Sequence, residues 1–248
     1  MCVNTTGDCN VAVGKDALDS NTEGDFNTAI GSNALQANTT ASENTAIGYN
    51  ALTANTTAAD NVAMGYKALL SNTTGAENTS LGSFSMNLNT TGASNVAVGR
   101  LALRVNTTGA TNTAVGSSAL TANTTASDNV AIGQNAMAVN TTGAQNVAIG
   151  RLALDAANSS NNTAVGYAAL TSATSGATNT ALGGISLLSN TTGSTNTAVG
   201  AAALDANTTA EYNTAIGAYA LVAATTGSYN CLLYTSPSPR DQRGSRMP

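Results

Sequence analysis

The chain has no histidine and no tryptophan, and aromatic residues make up only 4% of its 248 residues. Its three cysteines, Cys2, Cys9 and Cys231, lie near the two ends, which excludes a disulfide framework, although Cys2 and Cys9 could pair. Without histidine, no spacing of side chains resembles a zinc site. The sequence therefore predicts neither a bound metal ion nor another cofactor.

Charged residues are also scarce, at 8% of the chain, and the net charge is −5. The basic residues before position 231 form no stripe, which argues against nucleic-acid binding through phosphate contacts. They are Lys15, Lys67, Arg100, Arg104 and Arg151. No apolar run approaches the roughly 18 residues of a membrane-spanning helix. The first residues contain no basic segment followed by an apolar one, so we expect neither membrane insertion nor a secretory signal within this sequence.

What the chain does contain is a unit that recurs every 17 residues. The unit reads N-[TV]-A-[IVLM]-G-x-x-A-L-x-x-N-T-T-[GA]-x-x, and we number its positions as columns 1 to 17. One unit, 146–161, has 16 residues. A fixed short period is typical of a solenoid, in which each unit covers the hydrophobic face of the next. The scarcity of aromatic side chains agrees with a thin, long core rather than a globular one.

Columns 1 to 5 predict a short β-strand. Column 2 is Thr or Val, column 3 is Ala except at Ser80, and column 4 is always a large apolar residue. Alternate residues of a strand share a face, so columns 2 and 4 lie on one face and columns 1, 3 and 5 on the other. We expect column 4 to form an aliphatic stripe of the core. The small residues of column 3 indicate contact with the opposite wall of the coil or with a neighbouring subunit.

Columns 8 and 9, as in Ala34-Leu35, supply a second aliphatic stripe. Such a pair fits either a second strand with both faces covered, which we favour, or one helical turn at a corner. Columns 6, 7, 10 and 11 vary freely and should be exposed. Columns 12 to 15 read Asn-Thr-Thr-Gly/Ala and predict a turn. These residues also match the N-glycosylation sequon, but a turn former repeated with the unit is the simpler interpretation.

The sequence thus predicts an all-β fold, a parallel β-solenoid or β-roll of about 13 coils, with an α/β solenoid carrying one helical turn per repeat as the alternative. Parallel strands about 4.8 Å apart would give a length of roughly 60 Å. The column-1 Asn side chains would form a ladder, each amide bonding to the coils above and below. They are Asn10, Asn27, Asn44, Asn61, Asn78, Asn95, Asn112, Asn129, Asn146, Asn162, Asn179, Asn196 and Asn213.

The Gly of column 5 closes each strand, which indicates a positive φ or a close backbone approach. These glycines are Gly14, Gly31, Gly48, Gly65, Gly82, Gly99, Gly116, Gly133, Gly150, Gly166, Gly183, Gly200 and Gly217. A core this thin would benefit from a lateral partner. Because the small Ala columns suit subunits packed side by side, we predict a homo-oligomer, specifically a trimer.

The array begins within a unit and runs to Asn230, so residues 1–230 are expected to form a single repeat domain. From Cys231 onward the residues match no column. Residues 231–248 resemble the conceptual translation of a sequencing adapter, with a natural Ser/Pro linker as the alternative. We expect this segment to be a non-native, disordered tail that takes no part in the fold.

The segments N-T-A-I-G-Y-N-A-L (44–52) and N-V-A-I-G-R-L-A-L (146–154) resemble the head repeats of YadA-like trimeric autotransporter adhesins. Similar arrays occur in phage tail-fibre proteins. The resemblance covers residues 3–230 and implies a left-handed β-roll, assembly as a trimer, and a place outside the cell, on a cell surface or a virion. The adhesin unit is shorter than this 17-residue unit, which implies a longer turn here.

The leading functional hypothesis is a non-enzymatic structural or adhesive shaft or head, from a phage tail fibre or a bacterial surface adhesin, that attaches to a host-surface receptor or glycan. The candidate surface contacts are Tyr49, Tyr66, Tyr167 and Tyr219. The alternatives are an ice-binding β-solenoid and a passive extracellular spacer. An enzyme is not expected, because no break in the repeat gathers an acid, a base and a nucleophile.

Overall fold

The computed structural model describes residues 3–233, which form one parallel β-solenoid. Each coil contributes a three-residue strand, and the fourteen strands pair in chain order. The strands are β1 (Val11–Val13), β2 (Thr28–Ile30), β3 (Thr45–Ile47), β4 (Val62–Met64), β5 (Thr79–Leu81), β6 (Val96–Val98), β7 (Thr113–Val115), β8 (Val130–Ile132), β9 (Val147–Ile149), β10 (Thr163–Val165), β11 (Thr180–Leu182), β12 (Thr197–Val199), β13 (Thr214–Ile216) and β14 (Cys231–Leu233). The predicted all-β solenoid is confirmed, and the described residues contain no helical turn.

The short unit 146–161 does not interrupt the stack. Val147 of β9 pairs with Thr163 of β10 in the register that joins every other pair of strands. The missing residue falls in the turn, where Asn158 accepts a hydrogen bond from the backbone N–H of Thr141 at 2.7 Å. The deletion is absorbed where the chain carries no strand pairing, as surface turns allow.

The side chains of columns 1, 3, 8, 9 and 12 point into the coil. Ala114, Ala119 and Leu120, in columns 3, 8 and 9 of one coil, are fully buried, and the same columns supply most of the core. Leu or Met of column 9 is the largest buried side chain of each of twelve coils. The core is therefore a single file of column-9 side chains packed among alanines.

Column 4 faces solvent, so its predicted role as a core stripe is wrong. Ile132 and Ile149 remain more than one third exposed, while the Ala between columns 2 and 4 is fully buried. Alternation along the strand assigns columns 2 and 4 to one face, but that face is the outer one. The reason is volume, since the interior accommodates Asn, Ala and a single large side chain per coil.

Column 3 contacts column 8 of its own coil. In the repeat unit where column 3 is Ser, Ser80 and Ser85 bring their hydroxyl oxygens together across the interior. The opposite wall of the coil, rather than a neighbouring subunit, therefore restricts column 3 to small residues. The prediction that the Ala columns form a subunit interface is wrong, because these residues are already buried within a single chain.

Columns 6 to 11 form neither the second strand that we favoured nor a helical turn. The backbone takes φ values near +50 to +60° at columns 7 and 9, as at Asn50 (54°) and Leu52 (51°). Neighbouring coils still bond here, since the N–H of Leu52 donates to the carbonyl of Ala68 at 3.0 Å and the N–H of Asn50 donates to the carbonyl of Ser32 at 3.0 Å. The turn thus continues the inter-coil hydrogen bonding by alternating the direction in which its N–H groups point.

The array extends past Asn230. Cys231, Leu232 and Leu233 form β14 and pair with β13 in register, so our expectation of a disordered tail is wrong for these three residues. A parallel strand needs backbone groups rather than a particular side chain, so residues that do not follow the repeat can still add to the edge of β13. The rest of the predicted tail, residues 234–248, lies outside the described residues.

The column-5 glycines have both properties that the sequence predicted, a positive φ and a close backbone approach. Gly116 has φ +132°, and a methyl group on its Cα would lie 2.6 Å from the carbonyl oxygen of Gly133 in the next coil. Such a contact is far inside van der Waals distance, and the partner is backbone that is itself held by strand pairing. Gly184 differs, since the nearest atom to a Cβ there is 4.0 Å away and its φ is unexceptional.

We predict that Gly116→Ala lowers the free energy of unfolding by about 2–4 kcal/mol, because it combines backbone strain with overpacking. The matched control is Gly184→Ala, which should change stability by less than about 1 kcal/mol. Urea denaturation followed by circular dichroism would measure both. Equal effects of the two substitutions on stability would show that the close approach of the coils at column 5 does not exclude a side chain there.

Candidate functional surface

The column-1 Asn ladder connects each coil to the next through both side chain and backbone. Asn112 accepts the backbone N–H of Asn129 at 3.1 Å, and its Nδ2 donates to the Oδ1 of Asn95 at 3.2 Å. The same Nδ2 donates to the carbonyl of Ala126 at 2.9 Å, across the interior of its own coil. A buried amide needs this degree of satisfaction, which explains why column 1 is Asn in every coil.

Column 12 forms a second Asn ladder, which the sequence analysis interpreted only as a turn. Asn123 donates from Nδ2 to the Oδ1 of Asn106 at 2.9 Å and to the carbonyl of Ala126 at 3.0 Å. The Ala126 carbonyl therefore accepts from both ladders, because Asn112 also donates to it. Where column 12 is Asn, the two ladders and the column-15 carbonyls close one side of the coil with a shared hydrogen-bond network.

The asparagines of the glycosylation sequons belong to this column-12 ladder and are buried with it. Every Asn of an Asn-Thr-Thr triplet except Asn4 is fully buried in the column-12 ladder. The Thr that follows it uses its hydroxyl along the stack, as where Thr107 donates to the carbonyl of Thr124 at 3.0 Å. These triplets are structural, and a glycan on the Asn amide could not be accommodated in the folded coil.

The outer face of the sheet is the most regular surface of the molecule. Column 2 places Thr, Val or, in β14, Cys231 on it, and column 4 places Val, Ile, Met or Leu, so the strip contains no charged side chain from Val11 to Leu233. Met64, Ile132 and Leu182 are among the column-4 residues that remain more than one third exposed. The sequence signal for this arrangement was column 3, because a column that admits only Ala or Ser marks the cramped side of the strand.

The predicted contact residues Tyr49 and Tyr66 lie on adjacent coils and stack on each other, with ring centroids 5.6 Å apart. Phe84 meets Tyr66 edge-on at 5.1 Å, and the amine of Lys67 lies 5.3 Å from the centroid of the Tyr66 ring. Both tyrosines are exposed. The structure therefore assembles a cluster that spans three coils in columns 6 and 7, which we call the aromatic cluster (Tyr49, Tyr66, Lys67 and Phe84).

Tyr167 and Tyr219 do not join that cluster. Tyr167 is exposed in column 6 with the guanidinium of Arg151 5.8 Å from its ring centroid, and Tyr219 is exposed in column 7. A second aromatic pair that sequence reasoning missed is Tyr212 with Tyr229, stacked at 5.0 Å in column 17. The 17-residue separation of the two tyrosines could have found this pair, since equal columns lie one above the other.

Two carboxyl groups have shifted pKa values. A hydrogen bond with Asp60 and the negative charge of that neighbour raise the pKa of Glu43, one coil away in the same exposed column. Burial raises the pKa of Asp155, against a smaller opposing effect of the backbone N–H of Ala138. The shift of Glu43 arises because the repeat places two like charges one coil apart. The shift of Asp155 arises because its carboxylate is partly buried at the coil surface.

Residues 3–233 contain no group of three or more carboxylate or thiol side chains placed to hold a metal ion. No enclosed cavity was found in this part of the chain. This surface presents the same side-chain positions repeatedly, one coil apart, along the stack. Such a surface suits contacts with an extended or repetitive partner.

Comparison with known proteins supplies no family. Neither a protein-family model, nor a curated protein, nor a solved structure matches the chain. Among residues 3–233, no helix is long and apolar enough to cross a membrane. Function must therefore be argued from the surface itself.

We predict that Asn112→Ala destabilises the protein by about 2–3 kcal/mol, because it leaves the buried N–H of Asn129 without its acceptor. The matched control is Asn123→Ala in the same coil, which removes side-chain bonds but no acceptor of a backbone N–H and should cost less than half as much. Column 12 already contains Ala157, Ala173 and Ala224. Urea denaturation would compare the two variants, and an equal or larger cost at Asn123 would contradict this ranking of the ladders.

We also predict that folded protein recovered from a glycosylating secretory host carries no N-glycan on the buried Asn-Thr-Thr triplets. A glycan added before folding would keep its coil from closing, so glycosylated chains should be found in the aggregated or protease-sensitive fraction. Intact-mass and glycopeptide analysis of the two fractions would measure this. A glycan on Asn106 in the protease-resistant fraction would show that the column-12 ladder tolerates an Asn that faces outward.

Proposed function

We propose that this chain is a non-enzymatic structural and adhesive segment, a shaft or head of a phage tail fibre or bacterial surface adhesin that acts outside the cell. The observation that carries the proposal is the recurrence of exposed side chains at equal columns on a stack of fourteen parallel strands. A stack of this kind is a rod of roughly 65 Å, since strands lie about 4.8 Å apart. It can hold a distal element away from a surface or present many equivalent contacts at once.

Polyvalence is what the repeat contributes to adhesion. A single contact through one exposed side chain is weak, but contacts linked by a stiff scaffold bind as a set. Columns 6, 7, 10 and 11 vary between coils, so they can be changed without altering the core. The aromatic cluster is the first candidate for a host-surface receptor or glycan, because aromatic rings offer a large contact area at little entropic cost.

We propose further that the segment acts as a homo-oligomer, with three copies as the expected number. The resemblance to trimeric adhesin heads supports this number. The single file of column-9 side chains supports it as well, because a core of one large residue per coil benefits from lateral packing. The passive spacer remains the alternative in which the rod has no ligand of its own.

Ice binding is a weaker alternative, although the sheet does present an outward Thr or Val in column 2. Column 4 beside it contains Val, Ile, Met and Leu, whose side chains differ in length. A face of uneven height is a poor match for a flat crystal plane. Thermal hysteresis of a solution of the chain would separate this alternative from adhesion.

The test of adhesion is retention of beads that carry the full chain on a panel of cells and immobilised glycans. Beads should be retained about 10²–10⁴-fold more strongly than the free chain on the surface that bears the receptor. The double substitution Tyr49→Ser and Tyr66→Ser should reduce retention about tenfold if the aromatic cluster contributes a central contact. The matched control is Tyr212→Ser with Tyr229→Ser, a stacked pair elsewhere on the coil.

One result would count against adhesion, and a second would count against the aromatic cluster as the contact site. Retention no greater than that of beads carrying an unrelated protein of equal net charge would favour the spacer. Loss of retention in the Tyr212 and Tyr229 variant, with the Tyr49 and Tyr66 variant unaffected, would move the contact site to column 17.

A further inference from the structure

We propose that the outer face of the sheet is the surface by which copies of this chain associate, each copy packing its columns 2 and 4 against the same columns of another. This inference rests on the homo-oligomer in the proposed function and specifies its interface. It replaces the Ala columns, which are buried within one chain. The occupant of the face is thus a second copy of the same chain.

Only one of the two faces of the sheet is covered. Purely parallel sheets in proteins almost always have both faces packed against other elements. Here the inner face is covered by the rest of the coil, while large column-4 side chains stand on the other face in contact with solvent, as Ile132 does at 38% exposure. An aliphatic residue in every one of fourteen strands, all on the open side, marks a face that is to be covered.

The strip formed by columns 2 and 4 has the size of a protein interface. Fourteen strands about 4.8 Å apart and three residues wide span roughly 65 Å by 10 Å, a footprint of about 650 Å². Protruding side chains have more accessible area than their footprint. A specific protein interface buries about 800 Å² on each partner, so the strip with its bordering residues reaches that size. The largest apolar patch of an ordinary monomer is about 300–600 Å².

A second copy of the chain matches the strip in both chemistry and period. Columns 2 and 4 carry no charge, so identical faces meet without repulsion. Rows of side chains one strand apart on one face fit between equally spaced rows on the other, as in packed β-sheets. A membrane or a globular partner would not share this period over the length of the rod.

The test is the molar mass of the full chain by light scattering, for the parent and for two single variants. The residues are Ile132 in column 4 and Val139 in column 11 of the same coil, which is 52% exposed on another side. The parent should have two or three times the chain mass. Ile132→Lys should reduce this to one chain mass at the same concentration, and Val139→Lys should leave it unchanged. Circular dichroism verifies that each variant remains folded.

A mixing experiment keeps the proposal testable if a single Lys is tolerated. Strand β8 lies at the middle of the stack, so Ile132 faces the same or an adjacent coil of the other copy whether the copies run parallel or antiparallel. Chains with Ile132→Lys and chains with Ile132→Glu should each be monomeric, and their mixture should regain a higher mass. An unchanged mass for Ile132→Lys, with no gain on mixing, would overturn the proposal.

Three other results would also overturn it. A parent that is monomeric at high concentration leaves the face uncovered by a second copy, and ice or another protein then becomes its candidate occupant. Loss of assembly in Val139→Lys alone would place the interface on column 11, and equal loss in both variants would separate assembly from this face. Because bead retention is measured independently, a monomer that still adheres would refute the interface while leaving adhesion standing.

Discussion

The hydrogen bond from the backbone N–H of one column-1 Asn to the side chain of the Asn one coil before it is the interaction on which the rest of the structure depends. Asn129 donates to Asn112 at 3.1 Å, Asn112 donates to Asn95 at 2.9 Å, and the contact repeats along the stack. The Asn112 amide also closes its own coil by donating to the column-15 carbonyl of Ala126, as most column-1 amides do. One residue type therefore sets both the spacing between coils and the width of each coil.

A coil closed by asparagine amides is narrow, and the narrowness determines where every other residue goes. Column 5 has no room for a Cβ, because the next coil lies 2.6 Å from where it would be at Gly116. Columns 3 and 8 of a coil touch each other, as Ser80 and Ser85 do, and the repeat units therefore hold only Ala or Ser at these positions. Column 9 holds the single large side chain. The bulky residues of column 4 are left outside by the same geometry that makes the interior well packed.

Period, strand position and parallel pairing could be predicted from the sequence because they follow from recurrence alone. The orientation of the strand could not, since alternation separates two faces without saying which is inside. Hydrophobicity favoured placing the column-4 side chains in the core, whereas side-chain volume favoured placing the small column-3 side chains there. Volume decided, because buried Asn112 obtains its hydrogen bonds only in a coil too narrow for isoleucine. The positive φ of Leu52 could not be predicted either, since leucine seldom adopts it, and in the fold it occurs together with the inter-coil bond to Ala68 and the burial of the side chain.

The candidate surface could likewise be predicted only in part from the sequence. Exposed aromatic residues such as Tyr49 could be named from the sequence because columns that vary between units are solvent-facing in a solenoid. Their stacking with Tyr66 follows once equal columns lie one above the other. The outer sheet face could not be named, because its residues resemble a core. That resemblance is itself informative. Aliphatic side chains such as Ile132 and Met64 recur at the same position in every coil, whereas columns 6 and 7 change freely. The repeat thus keeps the outer face aliphatic in every coil, as it does the interior. An aliphatic face that one chain leaves uncovered can be covered when several chains associate.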